Sequence, residues 1–118
     1  MSGPYVVLDT ALADGLLWLI VENVGDEPAH KISVRFSRVL MGLGGSVEIS
    51  ALPLFRDLGF LAPGKSHRVV LDRADLHLRG RRRHVFTAVV EFSDGRGRAH
   101  TTKQRHNLDI YKEYPTTP

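Results

Sequence analysis

Six histidines in 118 residues are the first side chains that could do chemistry: His30, His67, His77, His84, His100 and His106. Imidazole ligates metals and moves protons near neutral pH. No two of them have the i, i+4 helical spacing with an adjacent glutamate that a zinc-peptidase helix needs. A hairpin shortens sequence distance, however. If a turn centres on Asp94-Gly95-Arg96-Gly97, His84 falls near the level of His106 or Asn107, and a two-histidine cluster is geometrically available. Surface histidines are the simpler account, so no metal ligand is assigned. Ser66 and His67 are neighbours on an extended stretch, where consecutive side chains point to opposite faces, so they form no nucleophile–base pair. The run Met41-Gly42-Leu43-Gly44-Gly45-Ser46 lacks the Gly-Lys-Ser/Thr ending of a phosphate loop and has no helix after it. Asp26 and Glu27 sit in a turn and face water. With no catalytic constellation, the chain is read as a non-enzyme that needs no cofactor and takes no small-molecule substrate.

Charge is the next candidate. Between Asp72 and His106 there are nine Lys and Arg against four acids, while the whole chain is only +3, with a pI near 9.6. The dense part is Arg79-Gly80-Arg81-Arg82-Arg83-His84. Arg79, Arg81, Arg82, Arg83, Arg98 and Lys103 are the candidate anion-binding residues, a basic loop continued by a basic strand that could track phosphates with salt-sensitive affinity. Aromatic interleaving for base stacking is lacking, because Phe86 and Phe92 fall on the apolar face. The competing account is a solvated loop and an edge strand kept from pairing by its charges.

Strands must position these groups. Ile32, Val34 and Phe36 alternate with Lys31, Ser33, Arg35 and Ser37, the period of a half-buried strand. Leu16 to Val21 is apolar on both faces and bounded by Gly15 and Asn23-Val24-Gly25-Asp26, which predicts a central strand. Tyr5 to Thr10 precedes it, folded back by Ala13-Asp14-Gly15. From Leu40 to Gly64 the pattern is irregular, with short strands expected at Val47–Ile49 and Leu52–Phe55 in a crossing between sheets. The apolar segment Val39-Leu40-Met41-Gly42-Leu43 either plugs the core or presents a patch, and plugging is the expectation. His67 to Leu71 is a strand, and Asp72-Arg73-Ala74-Asp75 could start one helical turn capped by Asp72. His84 to Phe92 alternates again, and Ser93-Asp94-Gly95-Arg96-Gly97 turns it into a return strand from about Arg98 to Ile110. The expected core comprises Trp18, Ile20, Ile32, Val34, Phe36, Val69, Phe86, Ala88 and Val90. The predicted fold is an all-β antiparallel two-sheet sandwich of about seven strands, with an up-and-down barrel as competitor.

Three passages carry a family likeness: Leu19-Ile20-Val21-Glu22-Asn23-Val24-Gly25-Asp26-Glu27-Pro28-Ala29, Phe60-Leu61-Ala62-Pro63-Gly64-Lys65, and Val89-Val90-Glu91-Phe92-Ser93-Asp94-Gly95-Arg96-Gly97. Together they resemble the immunoglobulin-like accessory domains of bacteria and archaea, including the bacterial cell-adhesion-related domain type. The resemblance spans roughly residues 16 to 110 and implies an immunoglobulin-like sandwich. Its motifs are turns, which specify fold rather than function. The antibody pattern of two cysteines about a tryptophan is absent, and the last strand is basic (Arg98, His100, Lys103, Arg105, His106) where adhesion-type members are acidic.

Composition sets the remaining expectations. At 42% apolar and 25% charged the chain reads as one globular domain, assigned to residues 1–110, with 111–118 as a C-terminal tail. No cysteine is present, so disulfides, thiolate metal sites and cysteine nucleophiles are excluded. The longest apolar run is six residues, against about twenty for a membrane span. Met1-Ser2-Gly3-Pro4 does not open a secretory leader, so a cytoplasmic protein or a component of a larger particle is expected. The functional expectation is a non-catalytic interaction or structural accessory module with a protein partner or self-association, and nucleic acid or another anionic polymer as the alternative partner.

Overall fold

Two residues, Asp14 and Gly15, begin the architecture. The computed structural model describes residues 2–79 and 84–113. Strands β1 (Val6–Ala13) and β2 (Leu16–Asn23) are joined by that pair alone, with φ of 54° and 73°. Two successive left-handed residues match the twist of a tight hairpin. There follow β3 (Ala29–Phe36), β4 (Met41–Gly42), β5 (Val47–Glu48), a 3-10 turn at Ile49–Ala51 and the short helix α1 (Pro53–Arg56). The chain continues through β6 (Leu58–Leu61), β7 (Ser66–Arg73), α2 (Ala74–His77), β8 (Val85–Ser93), β9 (Ala99–Asn107) and a 3-10 segment at Leu108–Glu113.

All pairings are antiparallel. One sheet has the order β1-β2-β7, the other β6-β3-β8-β9, and β4-β5 form a separate small ladder. Side chains from both large sheets form one buried cluster, including Val6, Leu8, Leu19 and Leu71 from the first and Ile32, Val34, Phe86 and Val90 from the second. The fold is therefore the expected all-β antiparallel sandwich. In β3, Lys31 adopts φ of 50° where the register with β8 shifts, so Ala29 as well as Ile32 and Val34 faces inward.

Several local expectations need correction. Trp18 and Ile20 are only partly buried, while Leu17, Leu19 and Val21 are the inward residues of β2. Six apolar residues in a row carry no alternation, so the face is set by pairing: the two-residue turn places Val21 opposite Leu8 and Leu19 opposite Thr10. Trp18 instead lies outside, its indole N–H donating to Ala13 O at 3.2 Å and its ring 4.6 Å from the Arg68 guanidinium. Val69 and Phe36 are partly buried against the core.

Leu52–Phe55 is not a strand. Pro53 opens α1, where its fixed φ and missing N–H suit the first helical position, and the turn swings Phe55 into full burial edge-on to Phe36. The neighbouring strand β6 was not anticipated. Asp72 does not cap α2; it is the penultimate residue of β7, nearly buried, and accepts from the backbone N–H groups of Arg73 and Gly44. The return strand stops at Asn107, and Leu108 and Tyr111 then pack onto the core. In the segment 39–43, Leu40 is the buried plug, whereas Val39, Met41 and Leu43 remain exposed. Among the described residues no helix is long and apolar enough to cross a membrane.

Candidate interaction site

The last hairpin carries most of the described candidates. In β9 the odd-numbered residues Ala99, Thr101, Lys103, Arg105 and Asn107 are exposed, and the even-numbered ones point inward. Backbone polarity alternates with the same period. Asp94 N–H donates to Arg98 O at one end of the hairpin and Leu108 N–H to His84 O at the other. The N–H and C=O groups of residues 98, 100 and so on to 108 thus turn toward β8, and those of 99, 101, 103, 105 and 107 turn outward. Among the described residues, no carboxylate pairs with Arg98, Lys103 or Arg105.

The inward side of β9 is polar, and it closes the seam between the sheets. Thr102 Oγ1 donates to Val6 O, Gln104 Oε1 accepts from Leu8 N–H at 3.0 Å, and His106 Nε2 lies 2.7 Å from Leu8 O. His106 Nε2 is therefore the donor, because a carbonyl oxygen only accepts. Tyr111 and Thr10 join hydroxyls at 2.9 Å beyond them. Three outward backbone groups of β1, Val6 O and the N–H and C=O of Leu8, are thereby met by side chains instead of a further strand, whereas no described residue bonds the outward backbone groups of β9.

Among the described residues, Arg79, Arg98 and Lys103 do not come together. Arg98 precedes β9 and Lys103 lies at its middle opposite Val89, both exposed. Arg79 is exposed beyond α2, at the end of the hairpin where His84 and Leu108 meet. Nine residues of β9 separate the two ends, about 30 Å of extended chain. Arg81, Arg82 and Arg83 lie outside the described residues.

The histidines also disperse, but three find carboxylates. His84 Nδ1 is 2.8 Å from Asp109 Oδ1, His77 Nδ1 is 3.3 Å from Asp72 Oδ2, and His100 Nε2 is 2.9 Å from Asp94 Oδ2. His84 falls one residue beyond the level of Asn107, bonded through its C=O to Leu108 N–H, and Phe86 lies opposite His106 with their rings 5.4 Å apart, so His84 and His106 are not cross-strand partners. The hydrogen bond from His100, with those from the Arg98 and Arg96 N–H groups, holds the Asp94 carboxyl down at about 2. Burial works to raise Asp109, but hydrogen bonds from the His84 ring and backbone and from Lys112 outweigh it, leaving that carboxyl also at about 2. His30 packs edge-on to Phe60, and His67 is exposed. Among the described residues, no three His, Asp or Glu side chains converge as a metal site would require.

Sequence reasoning missed the carboxylate partners. Asp109 is 25 residues from His84 and lies beyond the strand end, so nothing local marks it. A family model described as a domain of unknown function (DUF8453) matches residues 1–112. No curated protein matches the chain.

Proposed function

Because the chain belongs to that family, whose description assigns no activity, we propose from its geometry that it is a non-catalytic interaction module with an immunoglobulin-like sandwich. In this reading it takes an extended, acidic segment of a partner protein along β9. The carrying observation is the outer row of β9, where backbone groups that no described residue bonds coincide with exposed Lys103 and Arg105. Strand addition draws affinity from such backbone groups and specificity from alternate side chains. The charges discriminate among occupants. A second β9 would bring like charges together, whereas an acidic strand would neutralise them. Strand order supports the immunoglobulin-like part of this reading: the orders β1-β2-β7 and β6-β3-β8-β9 match those of an A-B-E sheet facing a C-F-G sheet with one further strand beside C.

Amide hydrogen exchange tests this directly. An array of acidic strand-forming peptides should contain members that slow exchange at Thr101, Lys103 and Arg105 but not at the β8-bonded Thr102 and Gln104, and K103E/R105E should abolish the effect. Absence of any such protection across the array refutes the reading. The rival, an anionic-polymer binder using Arg79, Arg81, Arg82, Arg83, Arg98 and Lys103, is less favoured because its described members are spread along the hairpin, Arg79 and Arg98 at opposite ends and Lys103 between them. Titration with duplex and single-stranded nucleic acid at two salt concentrations decides it, since no binding at low salt eliminates that rival.

A further inference from the structure

The two outer faces of the sandwich are unlike. That of the β6-β3-β8-β9 sheet carries Ser33, Arg35, Thr87, Glu91, Lys103 and Arg105, as a face turned to water should. On the other sheet, the residues that alternate with the inward Leu17, Leu19 and Val21 are Leu16, Trp18 and Ile20 of β2, flanked by Val7 and Ala11 of β1 and Val70 of β7. All six keep part of their surface in solvent, and none belongs to the core cluster or packs against it. The run from Leu16 to Val21 thus has the composition of a strand covered on both faces, yet the described residues cover only one.

Charge on this face is arranged about the same strand. Ile20 lies between Asp9 on β1 and Arg68 on β7, so acid, isoleucine and base form one row across the three strands. The two charged residues are two strand spacings apart, about 10 Å, and neither is in an ion pair among the described residues. Asp9 accepts from Thr10 N–H at 2.8 Å, and the Arg68 guanidinium lies 4.6 Å from the centre of the Trp18 ring. The stripe ends at Glu22 in the next row and at Arg73 beside Leu16, where Asp75 already holds Arg73.

We propose that this face binds a second copy of the chain, with the two β2 strands lying against each other about a two-fold axis that runs along them. A two-fold interface must complement itself. Rotation about an axis along β2 carries the β1 side of one copy over the β7 side of the other, level by level. Asp9 then meets Arg68 of the second copy and Arg68 meets its Asp9, so a single row provides two ion pairs. An axis across the strands would instead set Asp9 on Asp9 and Arg68 on Arg68, which repel. At the centre Trp18 and Ile20 meet their own copies, and Val70 closes over the small Ala11, leaving the charges at the rim. Glu22 lies on the axis but in the outermost row, where salt screens its approach to its own copy.

Three strands of eight residues give a face of roughly 26 Å by 14 Å. That is small for a specific interface, so a weak dimer is expected, with a Kd of about 1–100 μM. The proposal is independent of the β9 edge, which belongs to the other sheet.

Sedimentation equilibrium of the whole chain from about 1 μM to about 1 mM tests it, with the mass rising from 13.2 kDa toward twice that value. Trp18 is the single tryptophan, so its emission should shift to the blue and resist acrylamide quenching over the same range. Asp9→Arg and Arg68→Asp alter exposed residues, and each should weaken dimerisation by at least about tenfold, because each variant then opposes like charges twice. Mixing the two variants should restore a heterodimer, since both pairs are again opposite in sign, and the double variant Asp9→Arg/Arg68→Asp should dimerise with itself. K103E/R105E should leave the equilibrium unchanged. Should a charge variant fail to fold, Trp18 emission of the unaltered chain against concentration still provides the readout. A mass of 13.2 kDa throughout, a dimer indifferent to the charge variants, or Trp18 emission independent of concentration would each overturn the proposal.

Discussion

Asn23→Ala should be among the most damaging single changes outside the apolar core. Asn23 is fully buried, and its amide uses its whole capacity. Oδ1 accepts from the N–H groups of Tyr5 at 3.1 Å and Gly25 at 3.0 Å, while Nδ2 donates to Glu27 O at 2.8 Å and Leu61 O at 3.0 Å. Its backbone adds Asn23 N–H to Lys65 O and Gly64 N–H to Asn23 O. One residue thus ties the N-terminal strand, the β2–β3 turn and the β6–β7 turn together. Alanine keeps the backbone bonds and removes the other four. Three of these are partly buried and lose about 1 kcal/mol each, and the buried Leu61 carbonyl, left unsatisfied, costs about 1–3 kcal/mol. Water entering the vacated space recovers part of this, so the net loss is about 3–5 kcal/mol, against about 5–15 kcal/mol for a typical domain. Urea unfolding followed by circular dichroism, with m-values compared, measures it. A loss below about 1 kcal/mol at unchanged m would refute the assignment of Asn23 as the tie.

Further outcomes follow from the same geometry. Gly25→Ala should destabilise strongly in the same assay, because its new Cβ would lie 2.3 Å from Gly3 O and 2.6 Å from Tyr5 N; unchanged stability would show that the N-terminal segment does not lie there. Asp94 and Asp109 are both lowered to about 2, so their contribution is complete above the ordinary carboxylate range near 4 and is lost as pH falls through 2. The double variant Asp94→Asn/Asp109→Asn should therefore show a shallower loss of urea midpoint between about pH 4 and 2, and an unaltered slope would contradict it. Thr102→Val keeps side-chain shape but leaves Val6 O without its donor, which should cost about 1–3 kcal/mol and raise hydrogen exchange along β1; a neutral result would mean the seam between the sheets is closed by packing alone.

How much could be read beforehand divides by the range of the interaction. The strands around Val34 and Val90 were legible because a half-buried strand writes its period into consecutive residues. The turns at Asp14-Gly15 and Pro63-Gly64 were legible because positive φ selects residue types locally, as did the bend ending at Gly97. The basic character of β9 was legible as well. Its open outer edge was not, since that depends on side chains 96 residues from Val6 sealing the neighbouring edge.

Local sequence also determined that Val21-x-Asn23-x-Gly25 and Leu61-x-Pro63-Gly64 are turns, because each needs only its own backbone angles and caps. Tertiary structure alone decided that the two turns meet, Asn23 of one bonding Leu61 and Gly64 of the other across 38 and 41 residues. It likewise chose the inward face of β2 and gave His77 and His84 their aspartates. Such choices depend on which surfaces come to share a core, and a chain carries no local mark of a partner it reaches only after folding.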